Sequence, residues 1–286
     1  MDLSTFYGRS EEELQAELEQ LQAEDEAEGY CSGNCSSCGS DCDSRVTPRM
    51  AKKIIAVYSG KGGTGKSVIT ALLAGELTRL GKRTVILDGD MAGPTIHLLY
   101  GKEDPAGSDD KLVFTVPAGN GVEFISMGNI YDKPDQPLLW YGKDMAAGLQ
   151  YFYTDVKWDN PDVMLVDMPT GLGDVPLQGY TVIPFDRAIC VSTPCNLSDY
   201  MARKTTNLLK MVMIPPLGVV ENMITGESQS AEEHAQALDL PLLAQVAYDP
   251  MLALAADFGK IAEVEAPALR PLAERIAQMV DEATVI

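Results

Sequence analysis

The stretch SGKGGTGKS, residues 59–67, decides the fold. It follows the apolar run KIIAVY (53–58) and opens a helix-forming run from Lys66 to about residue 80. From Gly60 to Ser67 it fits G-x-x-x-x-G-K-[ST] in the strand–loop–helix setting that this motif requires. Gly60, Gly62, Gly63 and Gly65 let the backbone curl around Thr64, so that several N–H groups face phosphate oxygens. The helix start adds its positive dipole end. Lys66 is expected to reach the β- and γ-phosphates of ATP, and the Ser67 hydroxyl to bind Mg²⁺.

Around this loop the chain alternates apolar strands with helices. Strands are expected at 53–58, 84–88, 122–127, 163–167, 188–192, 217–221 and 241–247, and helices include 66–80, 197–212, 230–238 and 267–282. Continuous apolar strands separated by helices indicate an α/β, three-layer P-loop NTPase: a mostly parallel sheet covered by helices on both faces. In the last helix Leu269, Leu272, Ile276 and Met279 share a face, and its polar side is not basic, which favours docking on the sheet over membrane binding.

Charge and cysteine placement divide the chain. Of 286 residues, 42 are acidic and 22 basic, a net charge of −20, which disfavours nucleic acid and anionic membranes as partners. No apolar run is long enough for a membrane helix and the N-terminus does not read as a secretory signal, so the expected compartment is the cytoplasm. Residues 1–50 are read as a separate segment ahead of an ATPase domain at 51–286. The segment begins with an acidic helix from Ser10 to about Glu28, capped by Ser10 and Glu13 and carrying Leu14, Leu18 and Leu21 on one face. A Gly/Ser/Cys-rich stretch (29–44) and a linker (43–52) follow. Four of the six cysteines, Cys31, Cys35, Cys38 and Cys42, form C-x3-C-x2-C-x3-C. Four thiolates so close together suit a metal centre, and spacing alone leaves [4Fe–4S] and Zn²⁺ open.

Further acidic residues stand at strand ends, where parallel sheets bind ligands. Asp88 and Asp90 end the run ILDGD, placed to orient an attacking water or to hold Mg²⁺ through water. Asp167 ends VMLVD and fits a carboxylate that holds Mg²⁺ through water; Gly171, Gly173 and Asp174 then form a turn suited to sensing a γ-phosphate. Asn222, after GVVE, has a side chain suited to adenine N6 and N7. Cys190 reads as a buried core residue and Cys195 as a strand-end thiol; His97 and His234 have no second histidine at ligand spacing and are not taken as ligands.

The second lysine of the loop, Lys61, makes GKGGTGKS resemble the deviant phosphate loop of the MinD, ParA and nitrogenase iron-protein class. That resemblance implies that Lys61 reaches a partner subunit's nucleotide and assists hydrolysis with Lys66 and Asp90. SGKGGTGKS, ILDGDMAGPTI, WYGK at Trp140, TDVKWDNPDVMLVDMPTGLGD, STPCNLSDYMARK and GVVENM together resemble the Mrp-type iron–sulfur cluster carrier ATPases, also called ApbC-like or Nbp-type, over about residues 52–260. The resemblance implies an ATPase that forms a homodimer around nucleotide and delivers an iron–sulfur cluster to apo acceptor proteins. It also favours [4Fe–4S] over Zn²⁺ at the four clustered cysteines. Two departures stand out. The CPxC motif usual shortly after VENM is replaced by ITGESQSAEEHAQ, and GDVPLQGY lacks the cysteine that the nitrogenase iron protein carries after its switch turn. The missing CPxC keeps open a nucleotide-switched regulatory or targeting ATPase with a zinc segment; nickel insertion lacks a clear second metal motif.

Overall fold

The strand KIIAVY forms β1 (Lys53–Tyr58) at the middle of the sheet, buried along almost its whole length. In the computed structural model, residues 48–283 are described except 110, 132–137, 139–141 and 227–230. The acidic helix expected at 10–28 and Cys31, Cys35, Cys38 and Cys42 lie outside the described residues.

The eight-stranded sheet runs β10-β9-β8-β1-β7-β2-β5-β4. Its other members are β2 (Thr84–Asp88), β4 (Val116–Pro117), β5 (Glu123–Ile125), β7 (Val163–Asp167), β8 (Arg187–Ser192), β9 (Pro216–Ile224) and β10 (Leu242–Ala247). Every pairing is parallel except the antiparallel edge pair β4–β5. A separate parallel pair joins β3 (Val113–Phe114) to β6 (Val156–Lys157). The helices are α1 (Lys66–Arg79), α2 (Ile96–Leu99), α3 (Gly142–Thr154), α4 (Asp174–Val182), α5 (Asn196–Met211), α6 (Ala231–Leu238), α7 (Pro250–Asp257) and α8 (Arg270–Ala283).

Strand alternation sorts the apolar side chains into two cores. Ile55, Val57, Ile86, Leu165 and Val220 face α1 and α8. Ile54, Ala56, Val85, Met164 and Val219 face α3, α4, α5 and α6. Both faces are therefore covered, as continuous apolar strands require. The buried Glu76 of α1 accepts from Arg79 and from the Ala266 backbone N–H at 2.9 Å, fixing the chain just before α8. Helix α8 buries Leu272, Ile276 and Val280, and no helix among the described residues is long and apolar enough to cross a membrane.

Several boundaries differ from expectation for local reasons. The strand expected at 122–127 stops at Ile125 because Ser126 caps a short 3-10 turn, accepting from the Gly128 N–H. The helix expected from 267 begins as a 3-10 turn at Pro267–Leu269 and becomes α-helical at Arg270. The turn at 171–174 is shorter than expected: Gly171 keeps a left-handed φ of 92°, and α4 begins at Asp174. Helix α3, with Met145, Leu149 and Phe152 buried at helical spacing, and the exposed helix α7 were not among the expected elements.

Candidate functional site

The loop between β1 and α1 turns into the helix through Gly63 and Gly65, at φ 80° and 79°. A side chain at Gly65 would also collide with the Asn222 amide, whose Cβ-to-Nδ2 separation would be 2.3 Å. At the opposite end of the loop, a Cβ on Gly60 would lie 2.3 Å from the Ala202 backbone nitrogen of α5. Glycine thus serves two purposes here, left-handed backbone at Gly65 and close helix approach at Gly60. The loop floors a cavity of about 830 Å³ that extends past Asp90 to Leu98, Gly101 and Phe258. That volume lies within the range of small-molecule and nucleotide pockets.

Parallel register sets Asp88 and Asp167 side by side at the ends of β2 and β7. Asp167 is fully buried and closely partnered. It accepts from Ser67 Oγ at 2.6 Å and from Thr70 Oγ1 at 2.8 Å, and its Oδ2 lies 2.7 Å from Lys66 Nζ. The Lys66 ammonium therefore rests on this carboxylate and must turn to meet a phosphate. Ser67 Oγ and Asp167 converge from the two elements that the sequence assigns to Mg²⁺, and hard oxygen donors of this kind suit that ion.

Asp88 has a different neighbourhood. Its carboxylate accepts from Ser126 Oγ at 2.7 Å and from the backbone N–H groups of Asp90, Thr95 and Ile96. These bonds shape the loop from 89 to 95 and start α2. Burial, reinforced by the neighbouring Asp167 charge, pushes the Asp88 carboxyl up to about 7. Asp90 stands in the cavity wall and is only partly buried; burial raises its carboxyl above the usual range, against the pull of Lys66. Of the two aspartates expected to act on water, Asp90 is the one that faces the cavity. Thr70 and Ser126 were not singled out from the sequence. Each is one hydroxyl among many until the fold brings it to a buried carboxylate.

Asn222 is also braced: its Nδ2 donates to the Thr64 carbonyl at 2.9 Å, holding the loop from the β9 side. Lys61 has no carboxylate partner among the described residues, and Ser59 Oγ donates to its carbonyl at 3.0 Å. Cys190 is fully buried, as expected. Cys195 precedes α5; burial pushes its thiol up, but the Ser198 N–H, the Thr193 hydroxyl and the Lys61 charge together draw it below the usual value.

Residues 50–284 match the family described as ParA: NUBPL iron-transfer P-loop NTPase. An iron-sulfur cluster carrier protein of Clostridium perfringens is 32% identical over 231 residues, covering 74% of this chain and 81% of that protein. The carrier protein of Aquifex aeolicus is 33% identical over 223 residues, and there the match spans 73% of this chain but only 61% of the relative's length. Among solved structures, a nucleotide-binding protein of Archaeoglobus fulgidus in complex with ADP superposes with a TM-score of 0.66 at 29% identity, covering 76% of this chain and 90% of that one. The cell division ATPase MinD of Pyrococcus furiosus gives a TM-score of 0.64 at 23% identity over 80% of this chain and 99% of its own, a likeness of fold.

Proposed function

This chain belongs to the NUBPL iron-transfer P-loop NTPases of the ParA class, and from that premise we propose that it is an ATP-hydrolysing carrier that delivers iron–sulfur clusters to apo acceptor proteins. The observation that carries the reading is the complete phosphate loop with two lysines, Lys61 and Lys66, set against Asp90 and Asp167 in a family of iron-transfer NTPases. The relatives named iron-sulfur cluster carrier proteins support the cargo.

The chemistry follows from the site. As ATP enters, Lys66 turns from Asp167 to the β- and γ-phosphates, exchanging one anionic partner for another. Ser67 and Asp167 would then hold Mg²⁺, the latter through water, and the ion would supply positive charge against the phosphates. Asp90 orients the attacking water. Asn222 contacts adenine through the part of its amide that does not brace Thr64. Lys61 acts across a homodimer on the partner subunit's nucleotide. Exposed Leu98, Met223 and Phe258 beside the loop and cavity suit burial against a second copy. The cargo is one [4Fe–4S] cluster per chain, held by Cys31, Cys35, Cys38 and Cys42 in the segment that precedes the ATPase domain; the protein acts in the cytoplasm.

The test is anaerobic purification of the full chain, with iron, sulfide and zinc assays and transfer to the apo form of a [4Fe–4S] enzyme. About four irons and four sulfides per chain are expected, lost when the four clustered cysteines become serine while ATP binding persists. Stoichiometric zinc that iron and sulfide cannot replace would overturn the carrier reading and leave a zinc-bearing regulatory ATPase.

A further inference from the structure

On β9 the residue before Asn222 points the other way. Asn222 braces the phosphate loop, whereas Glu221 enters the opposite face of the sheet, between α5 and α6. There it meets Asp199 from the first turn of α5 and His234 from α6, and one ligand atom from each lies within 4.8 Å of the others. All three residues are buried: Glu221 is 0% exposed, His234 2% and Asp199 5%.

The cluster is poorly satisfied for its depth. His234 Nδ1 and Asp199 Oδ2 are 2.6 Å apart. Among the described residues, both carboxyl oxygens of Glu221, the second oxygen of Asp199 and the Nε2 of His234 have no hydrogen-bond partner. Buried polar atoms are almost always paired, and a buried unpaired carboxylate is among the costliest groups a fold can contain. Besides His234, the cation whose charge acts on Asp199 is Arg203, and its side chain is exposed. A proton on Glu221 would remove one charge but leave an O–H with no acceptor at bonding distance. A divalent cation would engage all three side chains and cancel two carboxylate charges.

We propose that Asp199, Glu221 and His234 form a second metal site, separate from the nucleotide pocket and from the clustered cysteines, which binds one first-row divalent cation such as Zn²⁺. The donor set selects the class. An imidazole with two carboxylates suits zinc, cobalt, manganese or ferrous iron, whereas magnesium and calcium prefer oxygen alone. Zinc bonds to such donors are about 2.0–2.2 Å long, so the three atoms must draw together by roughly 1 Å. The cation would tie α5 and α6 to β9, and α5 is the helix packed on Gly60 of the phosphate loop.

The test uses the full chain with Cys31, Cys35, Cys38 and Cys42 replaced by serine, in saturating Mg²⁺, so that neither the cysteine segment nor the Mg²⁺ position takes the probe. Co²⁺ is titrated and displaced with Zn²⁺. One Co²⁺ per chain is expected, with visible d–d bands and no thiolate charge-transfer band. Glu221→Gln and His234→Gln should each weaken binding at least tenfold and abolish the rise in thermal midpoint that Zn²⁺ gives. ATP binding verifies the fold of every variant. A folded four-serine chain that takes up no cation, or a cation retained equally by both substituted chains, would overturn the proposal.

Discussion

Two buried acidic clusters lie on opposite faces of the same sheet, and they are satisfied in different ways. At the phosphate loop, Asp167 has an ammonium and two hydroxyls, and Asp88 has a hydroxyl and three backbone N–H groups. Behind β9, among the described residues, Glu221 has no partner for either oxygen, and the side chains of Asp199 and His234 are partnered by each other. A buried carboxylate is tolerated where donors are built around it, at a desolvation cost that its partners offset. The first cluster carries its own counter-charge in Lys66. In the second, the group that can carry positive charge is the His234 imidazole, 2.6 Å from Asp199, while Glu221 has no donor among the described residues, and that gap is the one the proposed cation would fill.

Removing the built-in counter-charge is the strongest way to break the comparison. Lys66→Ala should leave Asp167 with only its hydroxyl donors, lowering stability by about 3 kcal/mol, since truncating one member of a buried ion pair strands the other. Hydrolysis should be abolished; urea unfolding and phosphate release measure the two losses. Asp90→Ala tests the part of that cluster that faces the cavity. We expect hydrolysis to fall on the order of 100-fold, as for loss of a group that handles the attacking water, with ATP affinity by calorimetry nearly unchanged.

Helix α5 belongs to both regions, so disturbing it links them. Gly60→Ala drives a methyl into the backbone at Ala202 and should cost about 1–3 kcal/mol, with weakened ATP binding. Gly62→Ala has open space and should be far milder, so a thermal midpoint that falls equally in both variants would contradict the packing argument. The smallest effect is expected behind β9. In chelator, Glu221→Gln should change stability by less than about 1 kcal/mol or raise it, because it neutralises a group that has no hydrogen-bond partner to lose among the described residues. A large loss in urea unfolding would mean that this carboxylate is already satisfied without a cation.

The sheet and loop were readable along the chain because their signals are local. β1, β2 and β7 lie where their apolar runs place them, and the phosphate loop is a matter of backbone and consecutive glycines. Less regular elements were not. The run at 122–127 lost its end to the Ser126 cap, and α7, PMLALAAD, is apolar at almost every position, so no amphipathic period could announce it.

The sequence by itself determined the nucleotide chemistry, for Gly60 to Ser67 must lie together however the rest of the chain folds. The close spacing of Cys31, Cys35, Cys38 and Cys42 is likewise a feature of the sequence alone, and the metal-centre expectation rests on it. Only the tertiary structure decided which carboxylate does what. Ser67 and Asp167 meet from 100 positions apart because β1 and β7 are neighbours, and Asp88 turns out to organise a loop while Asp90 faces the cavity. The same holds for His234. In the sequence it is a histidine without a second histidine at ligand spacing; parallel crossovers bring it to Asp199 and Glu221 from three separate elements, a meeting that no local periodicity encodes.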